Sequence, residues 1–125
     1  MQIGTYIMTN YSLVLPFLRG GIELARKFAA EYGGHSTEHD EFYRIAGVLR
    51  ENVWIQHSPP GSGSPDFGVI SLETNDPVNV LKEFATSSHP WPVRFRDFAK
   101  KAYGIDFSGP PPPLNENIID WNEKL

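Results

Sequence analysis

Residues 52–74, NVWIQHSPPGSGSPDFGVISLET, decide the fold of this chain. Two runs rich in Val, Ile, Trp and Phe, at 52–58 and 67–74, flank the segment PPGSGSPD at 59–66. β-Branched and aromatic residues favour strands, whereas Pro, Gly, Ser and Asp at this density favour a turn or surface loop. The stretch therefore predicts a β-hairpin. Both faces of each strand carry apolar side chains, which predicts a sheet with neither face fully solvated.

Helical patterns precede this hairpin. Apolar residues recur at helical spacing over 22–32, after a turn at 19–21, and again over 35–49. Ser36-Thr37 followed by acidic residues is typical of a helix start. Because Gly33-Gly34 separates the two stripes, they form either two helices or one broken helix.

Two more helices are predicted after the hairpin. Asp76-Pro77 combines a capping side chain with a proline at the first helical position, and the buried stripe follows over 78–85. A second stripe covers 91–102 and ends at Gly104, a typical C-terminal cap. Beyond it, Pro110–Pro113 forms a rigid polyproline segment.

The ends of the chain complete the predicted topology. Residues 2–15 indicate one strand or two short ones, and residues 114–121 indicate either a last strand or a docking arm. The order matches the split β-α-β-β-α-β pattern, with one extra helix. We therefore predict a single α+β domain over 1–125, ferredoxin-like, with an antiparallel sheet, helices on one face, and a Pro-rich arm from about 108. The uncovered face predicts a homodimer, or else cover by the extra helix and the tail.

Composition limits the possible partners. The chain has 11 Lys and Arg against 15 Asp and Glu, a net charge of −4, and no basic stripe, which argues against binding to nucleic acid. It contains no cysteine, which removes thiolate chemistry and sulfur-ligated metal sites. No apolar run is long enough for a membrane span, and no secretory signal is visible, so we predict a cytoplasmic protein.

Several segments resemble those of a known group of proteins. They are Trp54, DFGVISLE (66–73), Asp76-Pro77, FATSSHPWPVRFR (84–96), YGIDFSGPPPP (103–113) and Asp120-Trp121. The chain is similar to a little-characterised group of small bacterial proteins in the dimeric α/β-barrel superfamily, which includes antibiotic-biosynthesis monooxygenases. The resemblance implies a dimeric α/β barrel. With the many aromatic residues, it favours a small enzyme, without a bound organic cofactor, for a hydrophobic or aromatic metabolite.

Candidate site residues follow from strand ends, rigid positions and aromatic content. His57 ends a strand, where it would border a pocket with Tyr6, and His89 is held extended by the following proline, so either is a candidate acid or base. Equally, His57 fits a strand end that faces solvent, and His89 fits a helix cap or turn. Tyr43 and Arg94 are candidates for orienting the substrate, although Arg94 equally fits surface ion pairing. The predicted substrate-binding residues are Trp54, Gln56, Phe67, Trp91, Arg94 and Phe95. The four aromatic residues of this set, together with Tyr43, predict either an aromatic cavity or plain core.

Two further hypotheses remain open. His35-Ser36-Thr37-Glu38-His39 has the H-x-x-E-H form of one metallopeptidase class, but it also fits an ordinary helix N-terminus, and we assign no metal. The enzyme would be monooxygenase-like or isomerase- or cyclase-like. Alternatively, the chain is a non-catalytic dimeric protein that binds a ligand or acts as an accessory factor, since no catalytic constellation is evident.

Overall fold

Four helices and three strands succeed one another in the structure. The structure is a computed structural model and describes residues 9–123. Its elements are β1 (Thr9–Pro16), α1 (Gly21–Tyr32), α2 (Thr37–Ala46), β2 (Val48–Gln56), β3 (Phe67–Thr74), α3 (Pro77–Thr86) and α4 (Pro90–Tyr103). The first strand was predicted from residue 2, and residues 1–8, with Tyr6, lie outside the described part of the chain.

The three strands form one antiparallel sheet in the order β1-β3-β2. The hairpin of β2 and β3 is confirmed, with Trp54 opposite Val69. β1 lies on the other side of β3, where Tyr11 is opposite Leu72. β1 and β2 are therefore parallel to each other with β3 between them, an α+β arrangement compatible with the ferredoxin-like fold.

One face of the sheet is buried and the other is open. Along β3, Gly68, Ile70, Leu72 and Thr74 are buried, while the alternating residues from Phe67 to Glu73 are only partly covered. The buried face packs against the helices. The opposite face, which we call the open face, carries Val14 and Trp54, whose residues are 60% and 52% exposed.

Aromatic packing fills the layer between sheet and helices. Trp91 stacks on Phe95 on one side and on Phe42 on the other, at centroid distances of 5.5 and 5.8 Å. α1 and α4 meet through Phe28 and Phe98, stacked at 4.6 Å. Such large rings supply much of the buried area in a small domain.

Local capping explains most helix boundaries. Asp76 accepts from the backbone N–H of Asn79 at 3.1 Å, as predicted for the start of α3. Arg96 donates to the carbonyls of Phe84 and Ser87 at the end of α3. Gly104 ends α4 with φ 73°, a left-handed conformation that glycine adopts without strain.

The boundary between α2 and β2 differs from the prediction. The helical stripe was extended to Leu49 and the strand was started at residue 52, whereas β2 begins at Val48. Gly47 has φ 87°, which ends the helix and turns the chain directly into the strand. Val48 and Leu49 fit both the helical spacing of the preceding residues and the pattern of a strand. The sequence pattern alone therefore assigns them to the wrong element.

The C-terminal tail forms an arm and no strand within the described residues. Asn115 accepts a hydrogen bond from the backbone N–H of Ser12 at 2.5 Å, which holds the arm beside the outer edge of β1. Consecutive prolines have no N–H to donate, so 110–113 cannot pair with that edge. Ile118, Ile119 and Trp121 are 77–82% exposed, so the arm leaves the open face uncovered.

None of the helices in residues 9–123 has the length and apolarity needed to cross a membrane.

Candidate functional site

A half-hidden polar cluster lies between α2 and β2. His39 Nε2 is 3.0 Å from Glu51 Oε1, and Tyr43 donates its hydroxyl hydrogen to Glu51 Oε2. His39 and Tyr43 are each exposed by only 7%. A carboxylate bonded on both oxygens by a histidine and a tyrosine is a chemically distinctive group in a core that is otherwise aromatic. We call these three residues the carboxylate cluster.

Ordinary helix and strand periodicity assembles this cluster. His39 and Tyr43 lie one turn apart on α2 and so share one face of that helix. Their rings are in contact, with centroids 3.9 Å apart and planes tilted by 31°. Glu51 alternates with Asn52 along β2 and pairs with Leu72, so it belongs to the helix-facing set of the sheet.

His39 is held between two carboxylates. Its Nδ1 is 3.0 Å from Asp40 Oδ1, while its Nε2 bonds Glu51. Carboxylates only accept, so each ring nitrogen bonds best when it carries a hydrogen, and the site fits the imidazolium form. Burial lowers the pKa of His39, but the hydrogen bonds and charges of Glu51 and Asp40 outweigh it and raise the pKa above its ordinary value of 6.5.

Tyr43 is held neutral at the same site. Burial raises its pKa well above the ordinary value of 10.0, and the charge of Glu51 acts in the same direction. A neutral phenol donates one hydrogen bond, and here that bond goes to Glu51. Tyr43 therefore fixes the carboxylate in place while His39 balances its charge.

An apolar cavity of about 100 Å³, the inner cavity, touches the carboxylate cluster. Its lining consists of His39, Tyr43 and Glu51 together with Ala25, Phe28, Ala29, Gly33, Val53, Ile70, Phe84, Trp91, Phe95, Phe98 and Tyr103. A dry cavity of roughly 150 Å³ can hold benzene, so this space suits a body no larger than one ring. It is too small for a flat polycyclic compound.

A second, open cleft of about 310 Å³ lies on the solvent side of the same cluster. This outer cleft is also lined by His39, Tyr43 and Glu51, with Arg44 from α2 and Arg50 from β2. The three cluster residues are thus shared between an apolar space and a solvated one. A ligand at this place would present one end to aromatic rings and the other to charges.

The predicted aromatic residues separate into two groups. Tyr43, Trp91 and Phe95 line the inner cavity. Trp54 and Phe67 occupy the open face, because they alternate in register with Val53 and Gly68. The five rings therefore do not surround one space, and the sheet separates the two groups. Gln56 is paired with Phe67 on the open-face side.

His57 lies in the hairpin loop, apart from the carboxylate cluster. Its Nδ1 is 3.0 Å from Asp66 Oδ2, and its side chain is 61% exposed. Asp66 also accepts from the N–H of Ser58 at 2.8 Å, so the pair closes the base of the loop. The nearest cleft, about 400 Å³, includes Arg19 and is distinct from the inner cavity.

His89 caps α4. Its Nδ1 accepts from the backbone N–H of Trp91 at 3.1 Å, and its Nε2 is 2.7 Å from Glu41 Oε1. The accepting nitrogen carries no hydrogen, so the other nitrogen donates to Glu41. Both ring nitrogens are engaged in holding α4 against α2, and neither belongs to the lining of the inner cavity.

Arg94 ties two helices together. It forms two hydrogen bonds to the Glu38 carboxylate, at 3.1 and 3.2 Å, and its guanidinium lies 4.8 Å from the centre of the Tyr32 ring. It lines a shallow groove between α1 and α4 instead of the inner cavity. The ion-pairing role that the sequence left open is the one that the structure displays.

The H-x-x-E-H pattern does not form a two-histidine helix face. His35 precedes the Ser36 cap and has φ 75°, so it lies outside α2. Both ring nitrogens of His39 are bonded to carboxylates. Within residues 9–123, no three His, Cys, Asp or Glu residues are grouped so that they could hold a metal ion.

Sequence reasoning missed Glu51 altogether and named His39 only in the metal pattern. A signal for both was available. Glu51 shares one face of β2 with Val53 and Ile55, where an acid must find a partner if the face is buried. The spacing of His39 and Tyr43 placed two such partners on one helix face, but the pairing of α2 with β2 is a tertiary contact.

No family model, no curated protein and no solved structure matches this chain.

Proposed function

We propose that this protein is a small cofactor-independent enzyme that transfers a proton on a hydrophobic or aromatic metabolite. The observation that carries the proposal is the carboxylate cluster of His39, Tyr43 and Glu51 at the wall of the inner cavity. His39 and Tyr43 are each only 7% exposed, and charges act more strongly where water is partly excluded. Glu51 and His39 take the place of His57 and His89 as the acid and base.

Proton transfer of the isomerase or cyclase type needs nothing beyond these side chains. Glu51 would accept a proton from an activated C–H bond of the substrate, and the electron pair left behind would shift along the substrate. A proton returned from the cluster to another substrate atom balances the step. His39, as the imidazolium, would stabilise the anionic intermediate, and Tyr43 would hold the carboxylate in position.

A non-catalytic role in ligand binding is the second candidate. Both nitrogens of His39 and both oxygens of Glu51 are already hydrogen-bonded within the protein. A fully satisfied network suits a rigid binding site as well as a catalytic one. In this case the protein would bind a small aromatic compound without converting it.

We further propose that two copies pair through the open face and form a dimeric α/β barrel. Val14 and Trp54 are more than half exposed there, and Val69 lies between them on β3. A contiguous apolar strip on a sheet marks an interaction surface more often than a solvated one. The dimer would leave the inner cavity on the helical side of each subunit.

Hydrogen exchange from the substrate tests the enzymatic proposal directly. Small monocyclic metabolites would first be screened for stabilisation of the protein against heat. Each stabilising compound would then be incubated with the protein in D₂O, and incorporation of deuterium at carbon followed by NMR. We expect catalysed exchange, and a loss of about 10²–10⁴-fold in Glu51→Gln.

The matched control is Glu41→Gln, which removes a carboxylate bonded to a different histidine, His89. This variant should exchange deuterium like the parent. Compounds that bind but exchange no deuterium with the parent protein would support the binding role instead. Equal exchange rates in the parent and in Glu51→Gln would overturn the assignment of Glu51.

A further inference from the structure

The outer cleft is lined by two arginines without a hydrogen-bonded partner among the described residues, while its carboxylates are bonded to His39, Tyr43 or the backbone. We infer that the ligand of this site is a small organic anion, a carboxylate with an apolar body of at most one ring, whose charge is bound by Arg44 and Arg50. This inference rests on the proposed function, since it names the substrate class for the same site. It follows from a count of what each polar side chain in the cleft already bonds.

The acidic groups of the cleft are occupied internally. Asp40 Oδ1 bonds the ring of His39 and lies 3.3 Å from the backbone nitrogen of His35. The two oxygens of Glu51 bond His39 and Tyr43. Asp40 Oδ2 forms no hydrogen bond within the described residues, but Arg44 acts on Asp40 through its charge. A cationic ligand there would therefore compete with Arg44 and would meet the imidazolium of His39.

The two arginines of the cleft differ from its carboxylates because they lack such partners. Arg44 and Arg50 are exposed and form no hydrogen bond or ion pair with any residue in the part of the chain that the structure describes. Arg94 and Arg96, by contrast, are bonded to Glu38 and to two backbone carbonyls. The planar guanidinium donates readily to a carboxylate, so two such groups at one cleft favour an anion.

Position strengthens the argument from charge. Arg44 directly follows Tyr43 on α2, and Arg50 directly precedes Glu51 on β2. Adjacent strand residues belong to opposite faces, and Arg50 is paired with Glu73, yet both arginines line the outer cleft together with the carboxylate cluster. A carboxylate held at the outer cleft would have its body directed toward the aromatic rings behind that wall.

Volume limits the body of the ligand. The inner cavity holds about 100 Å³, less than the roughly 150 Å³ of a cavity that binds benzene, so it suits a short branched chain or a ring that lies partly in the outer cleft. Leu49 and Val48 extend the apolar surface into the outer cleft. Simple probes of this class are benzoate, phenylacetate and 3-methylbutanoate, each compared with its neutral primary amide, which has nearly the same shape.

Titration calorimetry with each acid and its amide tests the inference on the full chain. We expect the parent protein to bind at least one acid ten or more times as tightly as its amide. Arg44→Gln and Arg50→Gln should each weaken binding of that acid by about tenfold, and the double variant by more, with the affinity for the amide unchanged within about twofold. Arg26→Gln is the matched control, because Arg26 is exposed but lines the cleft beside His57.

Two results would overturn the inference. One is that no acid binds more tightly than its amide, and the other is that the double variant binds the acid as the parent does. The proposed enzymatic role fails by a separate route, through unchanged deuterium exchange in Glu51→Gln. A neutral compound that exchanges deuterium in the parent and in the arginine variants alike would therefore end the anion assignment alone.

Discussion

The phenol of Tyr103 lies against Gly68, so close that a Cβ at position 68 would overlap the tyrosine hydroxyl. Tyr103 is in the last turn of α4, and Gly68 is on the buried face of β3. Phe17 stacks on the same tyrosine at 4.9 Å. The glycine thus creates the space in which the end of α4 meets the sheet.

Gly68→Ala should destabilise the protein by about 1–3 kcal/mol, because the added methyl group overpacks a close contact. Denaturant unfolding of the variant measures the loss. Gly34→Ala is the matched control, since a Cβ there meets nothing within 4 Å, and its unfolding free energy should stay close to that of the parent. Partial recovery of stability in the double variant Gly68→Ala/Tyr103→Phe would identify the hydroxyl as the obstacle. Equal stability of Gly68→Ala and Gly34→Ala would contradict the contact.

Glu51→Gln should lower the pKa of His39 and destabilise the protein by about 1–3 kcal/mol. The carboxylate accepts from His39 and Tyr43 and raises the pKa of the imidazole by hydrogen bonding and by charge. Replacing a hydrogen-bonded buried charge leaves its partners with weaker bonds. NMR titration of the His39 ring follows the pKa, and chemical denaturation follows the stability.

The control for this prediction is Glu41→Gln, which changes the partner of His89. Glu41 is 62% exposed, so its loss should cost less than about 1 kcal/mol. The pKa of His39 should not move in that variant. An unchanged His39 titration in Glu51→Gln would show that the two side chains are not coupled.

The pH dependence of stability should carry the signature of a raised histidine pKa. The folded state binds the His39 proton more tightly than the unfolded state does. The contribution of this proton to the free energy of unfolding is therefore fully present below pH 6.5. It is lost as the pH rises through the folded-state value. The difference in unfolding free energy between the parent and His39→Gln should therefore shrink from pH 6 to pH 9. A difference that grows with pH would mean that burial, which lowers the pKa, outweighs the two carboxylates.

The features that sequence could predict are those encoded within a few residues. The hairpin at 52–74, the Asp76 cap and the Gly104 helix end each depend on neighbouring residues alone, and all three are present. His89, which the following Pro90 is expected to hold extended, has ψ 143° and caps α4.

The candidate site was harder to predict because it depends on packing between elements. The bonds from α2 to Glu51 require β2 to begin directly after Gly47, and the strand had been started at residue 52. The same applies to Trp54 and Phe67, where only the pairing register decides which face they occupy. Composition marks aromatic residues as abundant, but register decides which of them share a cavity.

Trp54→Glu should separate a dimer into monomers while leaving each subunit folded. Trp54 lies on the open face and is 52% exposed in the single chain, so a charge there costs the isolated subunit little but would be buried in the proposed interface. Sedimentation velocity at several concentrations measures the association state. Val78→Glu is the control, because Val78 is 66% exposed on α3, on the helical side. We expect a dimer for the parent and for the control, and a monomer with parent-like circular dichroism for Trp54→Glu. If the parent itself sediments as a monomer at high concentration, the open face is solvated and the barrel proposal is wrong.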